Sequence, residues 1–203
     1  MEITHAEQAY RYILQKIVTN DLKPGIAIAE SVLMEEFQLG RTPVREALKR
    51  LQVEQYVTFS PRRGIFVNSL AAEDIQQVLE IQMPLELLGI RLAARRITEE
   101  QLAILEQHVR STPETSTLSP ENIADLDINF HILIYRASHN PLLRNDLRRY
   151  FYMSQRILYH LGLPFTLDLL DHQAILGALQ AGDENQAEAS LRSHLTVMHT
   201  KIN

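Results

Sequence analysis

RTPVREALKRL, residues 41–51, places an apolar face and a basic face on one helix behind a sharp start. Thr42 is expected to supply an N-cap hydroxyl and Pro43 to take the first helical position, where no backbone donor is needed. Val44, Ala47, Leu48 and Leu51 recur at helical spacing and can be buried, while Arg41, Arg45 and Lys49 lie four apart along another face. Many basic helix faces are merely solvated, so the neighbours decide. Upstream, Ser31 to Phe37 predicts a short helix and Gln38 to Arg41 a tight turn containing Gly40, which gives helix, turn, helix. Downstream, Val57 to Ser60 and Ile65 to Asn68 are short β-branched and aromatic runs separated by Pro61, Arg62, Arg63 and Gly64. A hairpin with two arginines at its tip predicts a wing beside the helix.

Charge points to the same face. Residues 41–63 carry six basic side chains against Glu46 and Glu54, although the whole chain has a net charge of −5. Attraction to phosphates depends on the field at the docking face, so the overall acidity is compatible with DNA and argues only against a general nucleic-acid coat protein. Arg41 and Arg45 are the candidates for bidentate contact with guanine edges in the major groove. Thr42 and Lys49 are expected on phosphates. At the wing, Arg62 or Arg63 is expected in the minor groove, with Gly64 allowing close backbone approach. Arg50 faces away from the Arg41 and Arg45 row.

The chain has 203 residues, 45% of them hydrophobic, which suffices for one small and one medium domain. With no cysteine there are no disulfides, thiolate zinc sites or cysteine nucleophiles. No apolar run approaches the roughly 20 residues of a membrane span, and MEITHAEQAY lacks a signal-peptide core, so a cytoplasmic location is expected.

Helical signals dominate elsewhere. Thr4 and Glu7 form a capping-box pattern ahead of a first helix running towards Asn20, with Lys23, Pro24 and Gly25 ending it. After a linker at Ser69 to Ala72, helices are expected over Glu73–Ile97, Thr98–Val109, Pro120–Ala137, Pro141–Leu161, Thr166–Ala181 and Asp183–Ile202. Thr98 with Gln101 and Asp183 with Gln186 read as capping boxes, Ser119 as an N-cap, Ser111 to Leu118 as a surface loop, and Pro84 as a kink. The expected fold is therefore mainly α: a winged helix-turn-helix domain at residues 1–70 and an all-α six-helix domain at residues 71–203.

Within that second domain, Asp127 and His131 stand four apart on one helix face. His172 and His194 each lie 11 residues from Asp183, so an antiparallel hairpin turning there sets them at the same height. A lone helical histidine is usually exposed or hydrogen-bonded, and Asp127 alone reads as a solvated acid.

Residues 5–70 resemble the winged helix-turn-helix domain of the GntR family of bacterial transcription regulators, through RTPVREALKRL and RRGIFV. The helical remainder resembles the FCD domain of the FadR subfamily, in its shorter six-helix, VanR-type arrangement. That resemblance implies that Asp127, His131, His172 and His194 are metal ligands, in the contexts DINFH, DHQAILGAL and LRSHL; the other histidines match no such position. A carboxylate and three imidazoles suit zinc or nickel ahead of manganese or iron. The implied mechanism is that a small carboxylate effector completes the shell and alters how a homodimer grips a palindromic operator. A structural metal clamp in an effector-blind DNA binder is an alternative. A metal-dependent hydrolase or isomerase is another, but the chain has no HExxH pattern and no obvious general base.

The sequence also departs from the family's pattern. The residue before Arg41 is Gly40 rather than a hydroxyl residue. Gln55 stands where a glycine is common, which predicts a left-handed backbone there. Gln82 replaces an arginine associated with the effector carboxylate, and with Tyr135 and Arg156 it makes up the expected effector pocket.

Overall fold

The computed structural model describes residues 3–113, 118–163 and 169–202. Two compact units emerge, one formed by residues 1–74 with 155–160 and the other by 75–154 with 161–203. The division thus falls a few residues beyond the expected boundary at residue 70, and a short piece of a late helix groups with the first unit.

In the first unit, α1 (His5–Val18) buries Ala9, Tyr10, Ile13, Leu14 and Ile17. Thr4 caps it through the Glu7 amide, but the other half of the capping box does not form, because the Glu7 carboxylate is engaged by Arg11 and Arg50. Next come β1 (Ala27–Ile28), α2 (Glu30–Phe37), α3 (Arg41–Val53), β2 (Val57–Ser60) and β3 (Gly64–Val67). The sheet order is β1-β3-β2, antiparallel throughout, with Phe59 opposite Ile65 and Ile28 on the other side of Ile65. The wing is accordingly a three-stranded sheet.

Helix α3 buries Val44, Ala47, Leu48 and Leu51, all 2% exposed or less. Its start differs from expectation. Gly40 is the N-cap, with no side-chain hydrogen bond, and Thr42 lies inside the first turn. The physical reason is that the first amides of a helix have no intrahelical partner, so Pro43 is tolerated at the third position and does not force a later start. In the preceding turn the left-handed residue is Gln38 at φ 55°, not Gly40. Gln55 at φ 66° is left-handed as expected, and its carbonyl accepts from the Asn68 side chain at 2.7 Å.

The second unit holds most of α4 (Ala72–Arg96), α5 (Glu99–Ser111), α6 (Pro120–Ala137), α7 (Pro141–Leu161) apart from residues 155–160, α8 (Leu169–Gln180) and α9 (Glu184–Ile202). Helix α4 is assigned continuously through Pro84. Thr98 and Gln101 close both halves of a capping box, whereas Asp183 receives the Gln186 amide with the Gln186 side chain directed towards Ser190. The expected start of α8 at Thr166, like residues 114–117 of the expected loop, lies outside the described residues. The core joins Leu87 and Ile90 of α4 to Phe130 and Ile134 of α6, Leu147 of α7, Ile175 of α8 and Leu191 of α9.

Candidate DNA-reading face and metal centre

On α3, Arg41, Thr42, Arg45 and Lys49 are all exposed, as are Arg62, Arg63 and Gly64 at the wing turn. Arg45 has only a loose tie, its Nε standing 4.0 Å from Glu30. Arg50 is different. Its guanidinium lies 2.8 Å from Glu7 and 3.1 Å from Glu54, and stacks 3.5 Å over the Tyr10 ring. Tyr10 in turn donates to Glu54 at 2.8 Å. Arg50 therefore fastens α1 to α3, and its charge is spent inside the fold.

The second unit brings Asp127, His131, His172 and His194 together, with one ligand atom from each lying within 4.8 Å of the others. Asp127 and His131 share a face of α6. The hairpin of α8 and α9 supplies the other two through a turn at Gly182, φ 65°, whose amide reaches the Leu179 carbonyl while that of Asp183 reaches Ala178. That bond pair is a Schellman closure, which requires a left-handed residue at this point. It sets the two imidazole rings 5.0 Å apart. Phe130 stacks on His172 with centroids 3.8 Å apart and planes 12° from parallel, fixing that ring's orientation.

Three ring nitrogens face one carboxylate oxygen. The Nε2 atoms of His172, His131 and His194 stand 3.3, 3.8 and 3.9 Å from Asp127 Oδ1, and those of His131 and His194 are 3.3 Å apart. A tetrahedral shell with bonds of about 2.0–2.2 Å has edges of about 3.4 Å, close to these separations. Asp127 Oδ1 and His172 Nε2 are both buried with no hydrogen-bond partner. Buried polar atoms in such a state are rare, and two of them facing each other fit a shared cation. Each of two rings also has a carboxylate behind it: Asp171 lies 3.4 Å from His194 Nδ1, and Glu86 lies 3.1 Å from His131 Nδ1.

The electrostatics follow from this crowding. Burial alone would raise the Asp127 carboxyl, but the His172 contact and the charges of His131 and His194 hold it at about 2. Burial disfavours a charged His131, yet Glu86 and Asp127 outweigh it and raise that imidazole's pKa. His172 goes the other way, because burial dominates and keeps the ring neutral. Burial and the Glu86 charge together push Tyr135 well above the ordinary phenol value.

Of the expected effector residues, Gln82 and Tyr135 adjoin this centre, and Arg156 groups with the first unit. Gln82 is fully buried, donates to Glu86 at 2.6 Å and accepts a short hydrogen bond from Ser154. Tyr135 places its hydroxyl 3.3 Å from His131 Nδ1. Arg156 donates to the Asn68 carbonyl, both residues lying in the unit formed by residues 1–74 and 155–160. An open groove of about 600 Å³ lined by Leu79, Met83, Leu87 and Arg192 contains none of the three. Two other histidines have different settings, His108 beside the Leu126 carbonyl at 3.0 Å and His139 beside Gln101 at 3.1 Å.

Glu86 escaped the sequence reading. Its signal is position: it lies on the α4 stripe Val78, Gln82, Glu86, Ile90, four apart and all buried, where a charged residue needs a partner.

Comparison with known proteins finds two family matches along the chain. Residues 5–67 match the family of bacterial regulatory proteins, gntR family, and residues 77–197 match the FCD domain. The HTH-type transcriptional repressor RspR of Escherichia coli is 30% identical over 196 residues, covering 93% of this chain and 85% of its own. The Nta operon transcriptional regulator of Aminobacter aminovorans is 28% identical over 181 residues, covering 88% and 85%. Among solved structures, E. coli McbR/YncC superposes with a TM-score of 0.83 at 21% identity over the full length of both chains, a likeness of fold.

Proposed function

This chain belongs to the GntR family of bacterial regulatory proteins and carries an FCD domain, and from that premise we propose a homodimeric repressor whose hold on a palindromic operator is tuned by a divalent ion and a small carboxylate effector. That it is a DNA-binding transcription regulator follows from the family. What supports the finer reading is one observation, the convergence of Asp127, His131, His172 and His194 from three helices with orphaned polar atoms at their centre.

A zinc or nickel ion held by these four residues would offer open positions to oxygen donors such as a carboxylate, with manganese or iron as lesser candidates. The residues themselves do the rest. Asp127 stays ionised and His172 stays neutral, as ligation demands. Phe130 keeps the His172 ring in place, and Asp127 with His131 ties α6 to the α8–α9 hairpin. Control of operator binding requires the effector to favour one arrangement of the protein over another. On the DNA side, Arg41 and Arg45 read bases, Thr42 and Lys49 hold phosphates, and Arg62, Arg63 and Gly64 approach the minor groove.

The test is to replace His172 and His194 with alanine in the full-length protein. Loss of bound metal and of effector response, with operator binding retained, is expected. Unchanged metal content and unchanged response would reject the site. Among the described residues no helix is long and apolar enough to cross a membrane, which is compatible with action on cellular DNA.

A further inference from the structure

We propose that Glu86 is a positioning residue for the metal centre: its carboxylate faces His131 Nδ1 as an acceptor, keeps the ring proton on that nitrogen and so leaves the Nε2 lone pair free to ligate. The inference rests on the metal reading above. The two ring nitrogens of His131 look in opposite directions. Nε2 faces Asp127 and His194, at 3.8 and 3.3 Å. Nδ1 faces Glu86 Oε2 at 3.1 Å and the Tyr135 hydroxyl at 3.3 Å.

A neutral imidazole carries one proton, and its partner at Nδ1 decides where that proton sits. An ionised carboxylate can only accept, so Glu86 selects the Nδ1–H form. A hydroxyl can accept or donate. If Tyr135 were left alone with Nδ1 it could donate, sending the ring proton to Nε2, where it blocks ligation. With Glu86 in place an acceptor carboxylate stands beside the same Nδ1 that the phenol approaches, so the phenol is no longer that nitrogen's only neighbour. Glu86 thus fixes the tautomer.

Apart from facing the His131 ring, Glu86 accepts from the Gln82 amide, at 2.6 Å from Oε1. The side chain is 0% exposed, and Oε2 has no partner in aligned hydrogen-bond geometry. Neither Glu86 nor Asp127 has an arginine or lysine partner among the described residues. A buried carboxylate without a lysine or arginine partner is costly to the fold, and the outer positions of its stripe, Val78 and Ile90, are apolar. A residue kept for packing alone would be apolar as well.

The experiment measures zinc affinity by competition with a chromogenic chelator, and the melting temperature of chelator-treated protein, for wild type, Glu86→Gln, Glu86→Leu and the double variant Glu86→Leu with Tyr135→Phe. Glu86→Leu should weaken zinc binding about 10- to 100-fold, the usual effect of losing an outer-shell partner, while the metal-free melting temperature holds or rises. Glu86→Gln retains an acceptor oxygen and should lose less. Adding Tyr135→Phe should restore part of the loss. The inference is overturned by wild-type zinc affinity in Glu86→Leu, or by affinity and metal-free stability falling together in both single variants. Wild-type protein that binds no zinc would instead refute the metal reading itself.

Discussion

Arg45→Ala is expected to weaken binding to the operator by about 1–3 kcal/mol, or about 5- to 150-fold in dissociation constant. The magnitude follows from the state of this side chain before DNA arrives. It is 55% exposed, and its one ion pair is at 4.0 Å to a Glu30 that is itself partly exposed. Surface pairs are worth about 0.2–1 kcal/mol, and one this long belongs at the low end. Almost nothing is therefore given up when the guanidinium turns to a base edge. Because the Arg45 side chain is mostly exposed, and alanine favours helix, the variant should melt close to wild type. The assay is fluorescence anisotropy on duplexes selected from a random pool by the wild-type protein, repeated at several salt concentrations and with single-base changes in each half-site. Arg45→Ala should relax preference at one position per half-site. Lys49→Ala should weaken all sequences alike and reduce the salt slope by about 1. Wild-type affinity together with wild-type base preference in Arg45→Ala would refute the assignment of this face.

Arg50→Ala is expected to do the reverse. Loss of its pairs with Glu7 and Glu54 and of its stack on Tyr10 should destabilise the first unit by about 1–2 kcal/mol, discounted for partial exposure, with the salt slope of DNA binding unchanged; urea unfolding monitored in the first unit reports it. Gly182→Ala places a side chain at φ 65° and should lower stability by about 1 kcal/mol, read as a melting shift of about 2–4 °C. Zinc affinity should decline with falling pH from above 6.5, the ordinary imidazole value, because Glu86 and Asp127 raise His131 despite its burial and the proton competes with the ion. In chelator-treated protein the same raised pKa gives a stabilisation that is complete below pH 6.5 and lost as pH climbs through the folded-state value. Titration calorimetry and melting curves across pH 5–8 check both signs, and a zinc affinity flat over that range would contradict them.

How much the sequence revealed depended on whether a feature is local. The buried face of α3 and the Thr98 capping box are periodic or short-range patterns, and both stand in the structure. The meeting of His172 with His194 could be counted from the position of the turn, because helices have a fixed rise per residue. Strand β1 left no such trace. Two residues, Ala27 and Ile28, become a strand only by pairing with Phe66 and Ile65. The Thr42 cap failed because Pro43 is equally tolerable at two positions of a first turn, so a hydroxyl beside a proline does not by itself locate the start. The settings of Glu86 and Arg156 could not be read from the sequence for a common reason. Their partners, His131 and Asn68, are 45 and 88 residues away in sequence, and only the packed chain says which way a long polar side chain turns.

The Gly182 turn places a particular constraint on how this chain can change over generations. Between Gly182 and the two histidines lie nine residues on one arm and eleven on the other, none of them a ligand of the candidate site, so substitutions there are judged mainly by packing and by the turn itself. Their number is another matter. Deleting one residue from either arm would swing its histidine by about 100° around the helix and shift it about 1.5 Å along the axis, taking the imidazole off the shared face. The stretch joining α5 to α6 carries no candidate ligand and is under no such count. Descendants of this sequence should therefore vary freely in that connection's length, while the spacing from His172 to His194 stays at 22 residues for as long as both rings serve one ion.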